Sequence, residues 1–377
     1  MHLTEALKDA DRIMSICNAC RYCEGHCAVF PAMEKRLEFN PADLNYLANL
    51  CHNCGSCYHH CQYADPHEFD VNVPKTFSKV RTESYGEYAW PPVMKGIYKK
   101  NGYWVAGIGS AAVIGFTVLT SMIVGGAAFF SPNPEGFYGI MPHNVMAGIF
   151  GFVAIFALFA LFMGIARFWS AIGLPSPLGL KRAEILQAIH DALTLKYMGG
   201  GNSDGCTYPD EKPSKWRRRF HHMTFYGFML CFAATSAGTI MHYLAGLHAP
   251  YDFTSLPKIL GSLGGIGLLI GPAGLLWLKG KADDRVKDEN TTSMDIAFLV
   301  LLFMVSLTGF ALVFLGGTSL LGLALTVHLG FVATFFLTVP YGKFTHGFYR
   351  LVALIAHAYE EKNGKALPVK TETKMAA

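Results

Sequence analysis

Apolar residues run almost unbroken through six stretches, approximately 103–130, 143–169, 221–247, 257–278, 294–316 and 319–341, and polar segments separate them. A helix needs about 20 such residues to cross a hydrocarbon core of roughly 30 Å. Each stretch meets that length, so the pattern predicts six membrane-spanning helices. The first two carry no Lys, Arg, Asp or Glu before Arg167, and glycine recurs inside them, as in helices that pack closely in lipid. Six such runs in succession do not fit a water-soluble helical core. Residues 1–100 are mixed and polar by contrast, and 357–377 reads as a short polar tail. The chain therefore divides into an N-terminal domain (1–100), a six-span membrane domain (101–356, with a long loop at 170–220) and the tail.

Basic residues set the orientation. Lys95, Lys99 and Lys100 precede the first span, and the loop after it (SPNPEGFYGIMP) has none. Lys181, Arg182, Lys196, Lys212, Lys215 and Arg217–Arg219 fill the second loop, whereas the third has only Lys258 at its edge. The fourth holds Lys279, Lys281, Arg285 and Lys287, the fifth is a tight Gly316-Gly317-Thr318 turn, and Lys343 and Arg350 follow the last span. Positive charge gathers on one side each time, which predicts a multi-pass protein of a bacterial-type cytoplasmic membrane with both termini in the cytoplasm. Residues 1–16 agree: Glu5, Lys8, Asp9, Asp11 and Arg12 interrupt any apolar core a signal peptide would need. Within the second loop, residues 183–198 place Ile185, Leu186, Ile189 and Leu193 at helical spacing. That predicts an amphipathic helix, either lying on the membrane surface or offering a docking face to a soluble partner. The glycine-rich 199–206 reads as a flexible turn without the context of a phosphate loop.

Composition adds one exclusion. The chain is 52% hydrophobic and 15% charged, against about 25% charged in ordinary soluble domains. A net charge of +4 is too small to argue for nucleic acid and is concentrated beside the spans.

Eight of the ten cysteines fall within residues 17–61, in two runs of identical spacing: Cys17, Cys20, Cys23, Cys27 and Cys51, Cys54, Cys57, Cys61. This is the spacing of two-cluster bacterial ferredoxins, in which the fourth cysteine of each run ligates the other cluster. The reading assigns Cys17, Cys20, Cys23 and Cys61 to one [4Fe-4S] cluster, and Cys51, Cys54, Cys57 and Cys27 to a second. Zinc would find one ligand too many in each triple run. Ala28 and Gln62 stand where proline usually follows the fourth cysteine. Between the runs, Asn40-Pro41-x-Asp43 predicts a helix over 41–50, with Asn at the cap and Pro at the first helical position. Cys231 reads as packing, and Cys206 as an exposed thiol with no partner.

The spans hold few acids but several histidines, and an ionisable residue inside a span is a functional candidate. His221 and His222 open the third span and His242 lies near its outer end; His328 lies in the outer half of the sixth and His346 just past its inner end. Antiparallel spans would match His221 or His222 with His346, and His242 with His328. His328 and His346 are 18 residues apart, five helical turns and roughly 27 Å along one face; ideal geometry favours His221 over His222. One or two bis-histidine b-type haems follow. No CxxCH occurs, so c-type attachment is excluded.

Together the two cysteine runs, the HHMTFYGF opening of the third span and the HLGFVATFFLTVPYGKFTH stretch of the sixth resemble the tricarballylate utilisation protein B family, also called citrate utilisation protein B, over nearly the whole chain. The membrane half is more distantly similar to the cytochrome b subunit of membrane-bound nitrate reductase. The resemblance implies a role in reoxidising a flavin-containing tricarballylate dehydrogenase, with electrons passing from FADH₂ through the clusters and haem to quinone. The expectation is thus an all-α chain: a helical two-[4Fe-4S] ferredoxin-like domain and a six-helix transmembrane bundle. Its expected partners are an FAD-containing dehydrogenase on the cytoplasmic face, membrane quinone and the lipid bilayer. No catalytic site for a carbon substrate is visible. A heterodisulfide-reductase-like catalyst would need adjacent cysteines, which are absent, and the scarcity of acids in the spans disfavours the third reading, a transporter or redox sensor.

Overall fold

The computed structural model describes residues 4–133, 136–199 and 206–368; the glycine-rich turn expected at 199–206 lies almost wholly outside them. No strand forms among the described residues, only an isolated bridge between Cys206 and Ser214. The N-terminal domain comprises α1 (Glu5–Cys20), α2 (Val29–Glu34), α3 (Pro41–Leu50), α4 (Ser56–His59) and α5 (Val73–Tyr88). A 3₁₀ segment, Pro92–Lys100, leads into α6 (Asn101–Val124), and α7 (Gly126–Phe129), α8 (His143–Ala171) and α9 (Arg182–Thr194) follow. The chain continues through α10 (Trp216–Tyr243), α11 (Leu256–Gly280), α12 (Glu289–Leu315), α13 (Leu321–Thr338) and α14 (Thr345–Asn363). Six helical segments are long and apolar enough to cross a membrane, and they coincide with the six predicted runs.

Local chemistry explains the element ends. The Asn40 side chain accepts from the Ala42 and Asp43 amides at 2.8 and 3.0 Å, and Asp43 accepts the Asn40 amide at 3.2 Å. This reciprocal capping starts α3 at Pro41, as the sequence predicts, and delivers Cys51 at its end. The first span stops earlier than predicted, because Gly125 takes φ +82 and a right-handed helix cannot continue through it. The sixth also stops early. Residues 339–344 turn around Pro340, which has no N–H to extend α13, and a new helix begins at Thr345. His328 and His346 therefore sit on different helices, and the one-face argument that aligned them does not hold.

The α10–α11 hairpin is a backbone-to-backbone contact. A Cβ on Gly227 would lie 2.9 Å from the Gly264 carbonyl oxygen, and one on Gly271 would lie 2.6 Å from the Thr224 nitrogen. Small residues are what allow such approach in lipid, where packing rather than water exclusion holds helices together.

One core joins the N-terminal domain to the ends of the spans beside it. Tyr85 meets Tyr349 with ring centroids 5.3 Å apart, and Tyr349 meets Phe168 at 5.0 Å. Arg36 is buried between Asp43 (2.6 Å) and Glu360 (2.5 Å), and the Tyr46 hydroxyl donates to Glu360 at 3.0 Å. Residues 357–363, the first part of the expected polar tail, thus belong to α14, with His357, Ala358 and Glu360 buried in this junction. The amphipathic helix appears as α9, packed on α14, with Leu186, Ile189 and Leu193 left exposed.

Candidate functional site

The two cysteine runs fold as loops at helix ends. Cys17 and Cys20 close α1, where Arg21 turns left-handed (φ 55) to begin the loop bearing Cys23 and Cys27. Cys51 ends α3, and Asn53 (φ 53) and Gly55 (φ 80) reverse the chain so that Cys54 and Cys57 bracket it. A side chain at Gly55 would meet the Thr207 carbonyl at 2.8 Å, so glycine is needed there twice over. The Asn53 amide donates to the Cys51 sulfur at 3.3 Å.

The cysteines fall into two groups that cross the runs. Cys17 is electrostatically coupled to Cys20, Cys23 and Cys61. Cys27, from the first run, lines one pocket with Cys51, Cys54 and Cys57 of the second, together with His52 and Gly55; it encloses about 380 Å³, its open mouth included. Burial pushes the Cys17 and Cys23 thiols up to about 12, and Cys54 up to about 11, with neighbouring sulfurs adding to each. Bound metal favours the thiolate and displaces the proton from such groups. Among the described residues no three His, Cys, Asp or Glu side chains converge closely enough for a single ion. A cubane asks for a looser arrangement, one thiolate at each of four irons, and two loose groups of four cysteines fit it.

Three other residues beside the cysteine loops are placed by the fold, Cys206 against expectation. Cys206 is fully buried rather than exposed, because residues 206–214 fold back over the Cys54 loop; it packs with Cys54 and Tyr208, and its thiol donates to the Ser214 carbonyl at 3.8 Å. A lone cysteine after a glycine-rich stretch carries no signal of this. His52 is buried, with its Nε2 unpartnered; burial, with Arg350 and Arg217 beside it, holds it well below the ordinary histidine range. His60 bonds the Ser56 carbonyl at 2.8 Å.

In the membrane half His221 of α10 faces His346 of α14, with ring centroids 6.1 Å apart and planes at 79°. His346 Nδ1 lies 2.5 Å from the Lys343 carbonyl. A carbonyl only accepts, so Nδ1 carries the proton and Nε2 keeps its lone pair, the arrangement of a metal-ligating histidine. Metal–imidazole bonds of about 2 Å, taken on both sides of one iron, put two ring centroids about 6 Å apart. The separation of the two rings is thus compatible with a shared metal ion. His222 turns away, toward Tyr226 (5.6 Å).

The outer histidines are arranged otherwise. His242 stacks on His143 at 4.0 Å, and its Nδ1 lies 3.0 Å from His248 Nδ1. His328 Nδ1 lies 3.0 Å from the Thr308 hydroxyl, which itself donates to the Met304 carbonyl at 2.7 Å, so His328 Nδ1 is the donor; His328 also bonds the Val305 backbone. No ring contact or hydrogen bond among the described residues joins His242 to His328. Between the two levels Phe228 of α10 meets Phe335 of α13 at 5.5 Å.

The sequence reading takes Arg217 and Arg350 as positive-inside charges, Arg217 also as a candidate haem-propionate partner; in the structure they tie these two halves together. Arg217 donates to the carbonyls of Asn53 (2.6 Å) and His52 (3.1 Å). Arg350 donates to those of Cys51 (2.6 Å) and Asn49 (3.4 Å). Arg217 precedes His221 by four residues and Arg350 follows His346 by four, one helical turn each. That mirrored spacing was the available signal.

Two family models match the chain: the citrate utilization protein B Fer4-like domain over residues 10–87 and citrate utilization protein B over residues 107–367. A curated relative from Escherichia coli, "Citrate utilization protein B", is 52% identical over 363 residues, 96% of this chain and 95% of that protein. No solved structure matches.

Proposed function

The chain belongs to the citrate utilization protein B family, and from that premise we propose that it is a membrane electron-transfer protein of tricarballylate or citrate utilisation. It takes electrons from a reduced flavoprotein dehydrogenase on the cytoplasmic face and delivers them to membrane quinone. The observation that carries this reading is the crossed pocket, in which Cys27 joins Cys51, Cys54 and Cys57. Together with the Fer4-like domain, it supports two [4Fe-4S] clusters, one on Cys17, Cys20, Cys23 and Cys61 and one on Cys27, Cys51, Cys54 and Cys57.

A b-type haem fits between His221 and His346, whose spacing and tautomer suit axial ligation. His328 is fastened to Thr308 and the Val305 backbone, and His242 stands with His143 and His248 instead of opposite it. The geometry supports one inner haem more strongly than a second, outer one. Clusters and haem, when bound, supply one-electron carriers, which suit a flavin that releases two electrons singly. The protein's own residues do the rest. The cysteine loops gather the sulfurs into half-buried groups, Lys343 orients His346, and the apolar spans present the inner histidines at the level where quinone can approach. Basic loops on the domain's side favour placing it in the cytoplasm.

The test is the anaerobically purified full chain, assayed for iron and sulfide and by its dithionite-reduced minus oxidised visible spectrum. About nine irons, eight of them matched by acid-labile sulfide, and sharp b-type bands are expected for two cubanes and one haem. Protein carrying zinc or no metal in the cysteine domain would refute the cluster assignment. Iron–sulfur bleaching without b-type bands, in haem-replete cells, would refute the cytochrome part.

A further inference from the structure

Residues 48–53, the end of α3 and the turn into the Cys54 loop, receive hydrogen bonds from three arginines. Arg81 of the same domain donates to the Ala48 and Cys51 carbonyls at 2.9 and 3.3 Å. Arg217 and Arg350 reach the neighbouring carbonyls from the membrane half. Among the described residues none of these three guanidiniums is in an ion pair. Arg81 is buried, and Arg217 and Arg350 are half-buried; a cation drawn out of water without an anion is costly, and carbonyl dipoles, with the Tyr208 ring 4.5 Å from Arg217, only partly offset that cost. The anionic groups at hand are the thiolates of Cys51, Cys54, Cys57 and Cys27, which lie on this same loop and its pocket. Haem propionates are a poorer match, because two nitrogens of each of Arg217 and Arg350 are already held by loop carbonyls.

We propose that Arg217 and Arg350 form a two-sided clamp that holds the Cys51–Cys57 loop against the His221–His346 pair and raises the reduction potential of the cluster in that loop. The inference rests on the cluster assignment above and goes beyond it by naming positioning residues from the membrane half. Its logic is electrostatic. Reduction adds one electron and no proton to an already negative group, and a fixed cation in a dry site stabilises the reduced form. Because each arginine lies one turn from one histidine of the pair, the same side chains that tune the loop also set its distance from the haem position.

The experiment is a potentiometric titration of the full-length protein followed by electron paramagnetic resonance. Arg217→Gln and Arg350→Gln should each shift one of the two cluster signals to more negative potential, by about tenfold in the reduced-to-oxidised ratio, or about 59 mV for one electron. The other cluster should be unmoved. Cluster-replete Gln variants with neither signal shifted, or with both shifted equally, would overturn the proposal. Should the Gln variants fail to load iron, Arg217→Lys and Arg350→Lys keep the charge but lose the two-pronged bond. Wild-type potential with faster amide exchange confined to residues 49–55 supports the clamp, and unchanged exchange there overturns it. Wild-type protein with fewer than two cluster signals removes the assignment on which the clamp rests, a result seen before any variant is made.

Discussion

At the inner end of the bundle, His221 and His346 face each other beneath a loop held by three arginines, and a tyrosine-rich core fuses spans and domain. At the outer end, His242 lies among His143 and His248 near the surface, and His328 is fastened to Thr308 and the Val305 backbone of the neighbouring span. Both ends hold histidines at comparable depth, yet one is assembled and the other is not. The difference teaches that matched depth along two helices is a weak predictor of contact. What brings His346 to His221 is the turn at Pro340 and the docking of α14 onto the N-terminal domain, neither of which acts on His328.

The sharpest way to break this comparison is at the histidines themselves. His346→Ala and His221→Ala are each expected to abolish the b-type absorbance of the inner haem, read in the reduced-minus-oxidised spectrum, while His242→Ala retains it. Equal loss in all three would erase the distinction between the two ends.

Stability should follow the same division. Glu360→Ala removes one of the two carboxylates that hold Arg36 and the acceptor of the Tyr46 hydroxyl; with Asp43 still paired the cost should approach, from below, the roughly 3–5 kcal/mol of a broken buried pair, and thermal unfolding in detergent should drop clearly, with proteolysis of the N-terminal domain. His242→Ala should stay within about 0.5 kcal/mol, as substitutions away from packed features do. Between these extremes lies the α10–α11 hairpin. Gly227→Ala presses a methyl against the Gly264 carbonyl, and overpacking of this kind costs about 1–3 kcal/mol. A melting temperature equal to wild type would show that the hairpin relaxes freely.

The smallest expected effect sharpens the outer end. Thr308→Val removes one of the two acceptors around His328 and leaves the Val305 backbone, a loss worth about 1 kcal/mol. If His328 carries an iron, the variant should also move part of the b-type absorbance or its midpoint; if His328 only packs, stability alone should change.

Much of the architecture was legible because its causes are local. The six spans follow from unbroken apolar length, and α3 from Asn40-Pro41-x-Asp43, whose capping bonds span three residues. The crossing of Cys27 into the second run's pocket follows from a three-residue step that lets only three thiolates reach one corner. The expected tail at 357–377 misled because Glu360 and His357 look solvated in sequence; their burial depends on Arg36, more than three hundred residues earlier. Cys206 misled for a similar reason, since its neighbour Cys54 arrives from another domain.

The sequence by itself therefore determined the helical class, the number of spans, the two cysteine groups and the histidines worth testing. Each depends on spacing within one segment, and helix and loop geometry convert spacing directly into position. Tertiary structure alone decided that His242 turns to His143 rather than toward His328 and that Arg217 and Arg350 grip the Cys51 loop. Those facts depend on how helices far apart in the chain rotate and break when they pack, and no periodicity within a single segment encodes that.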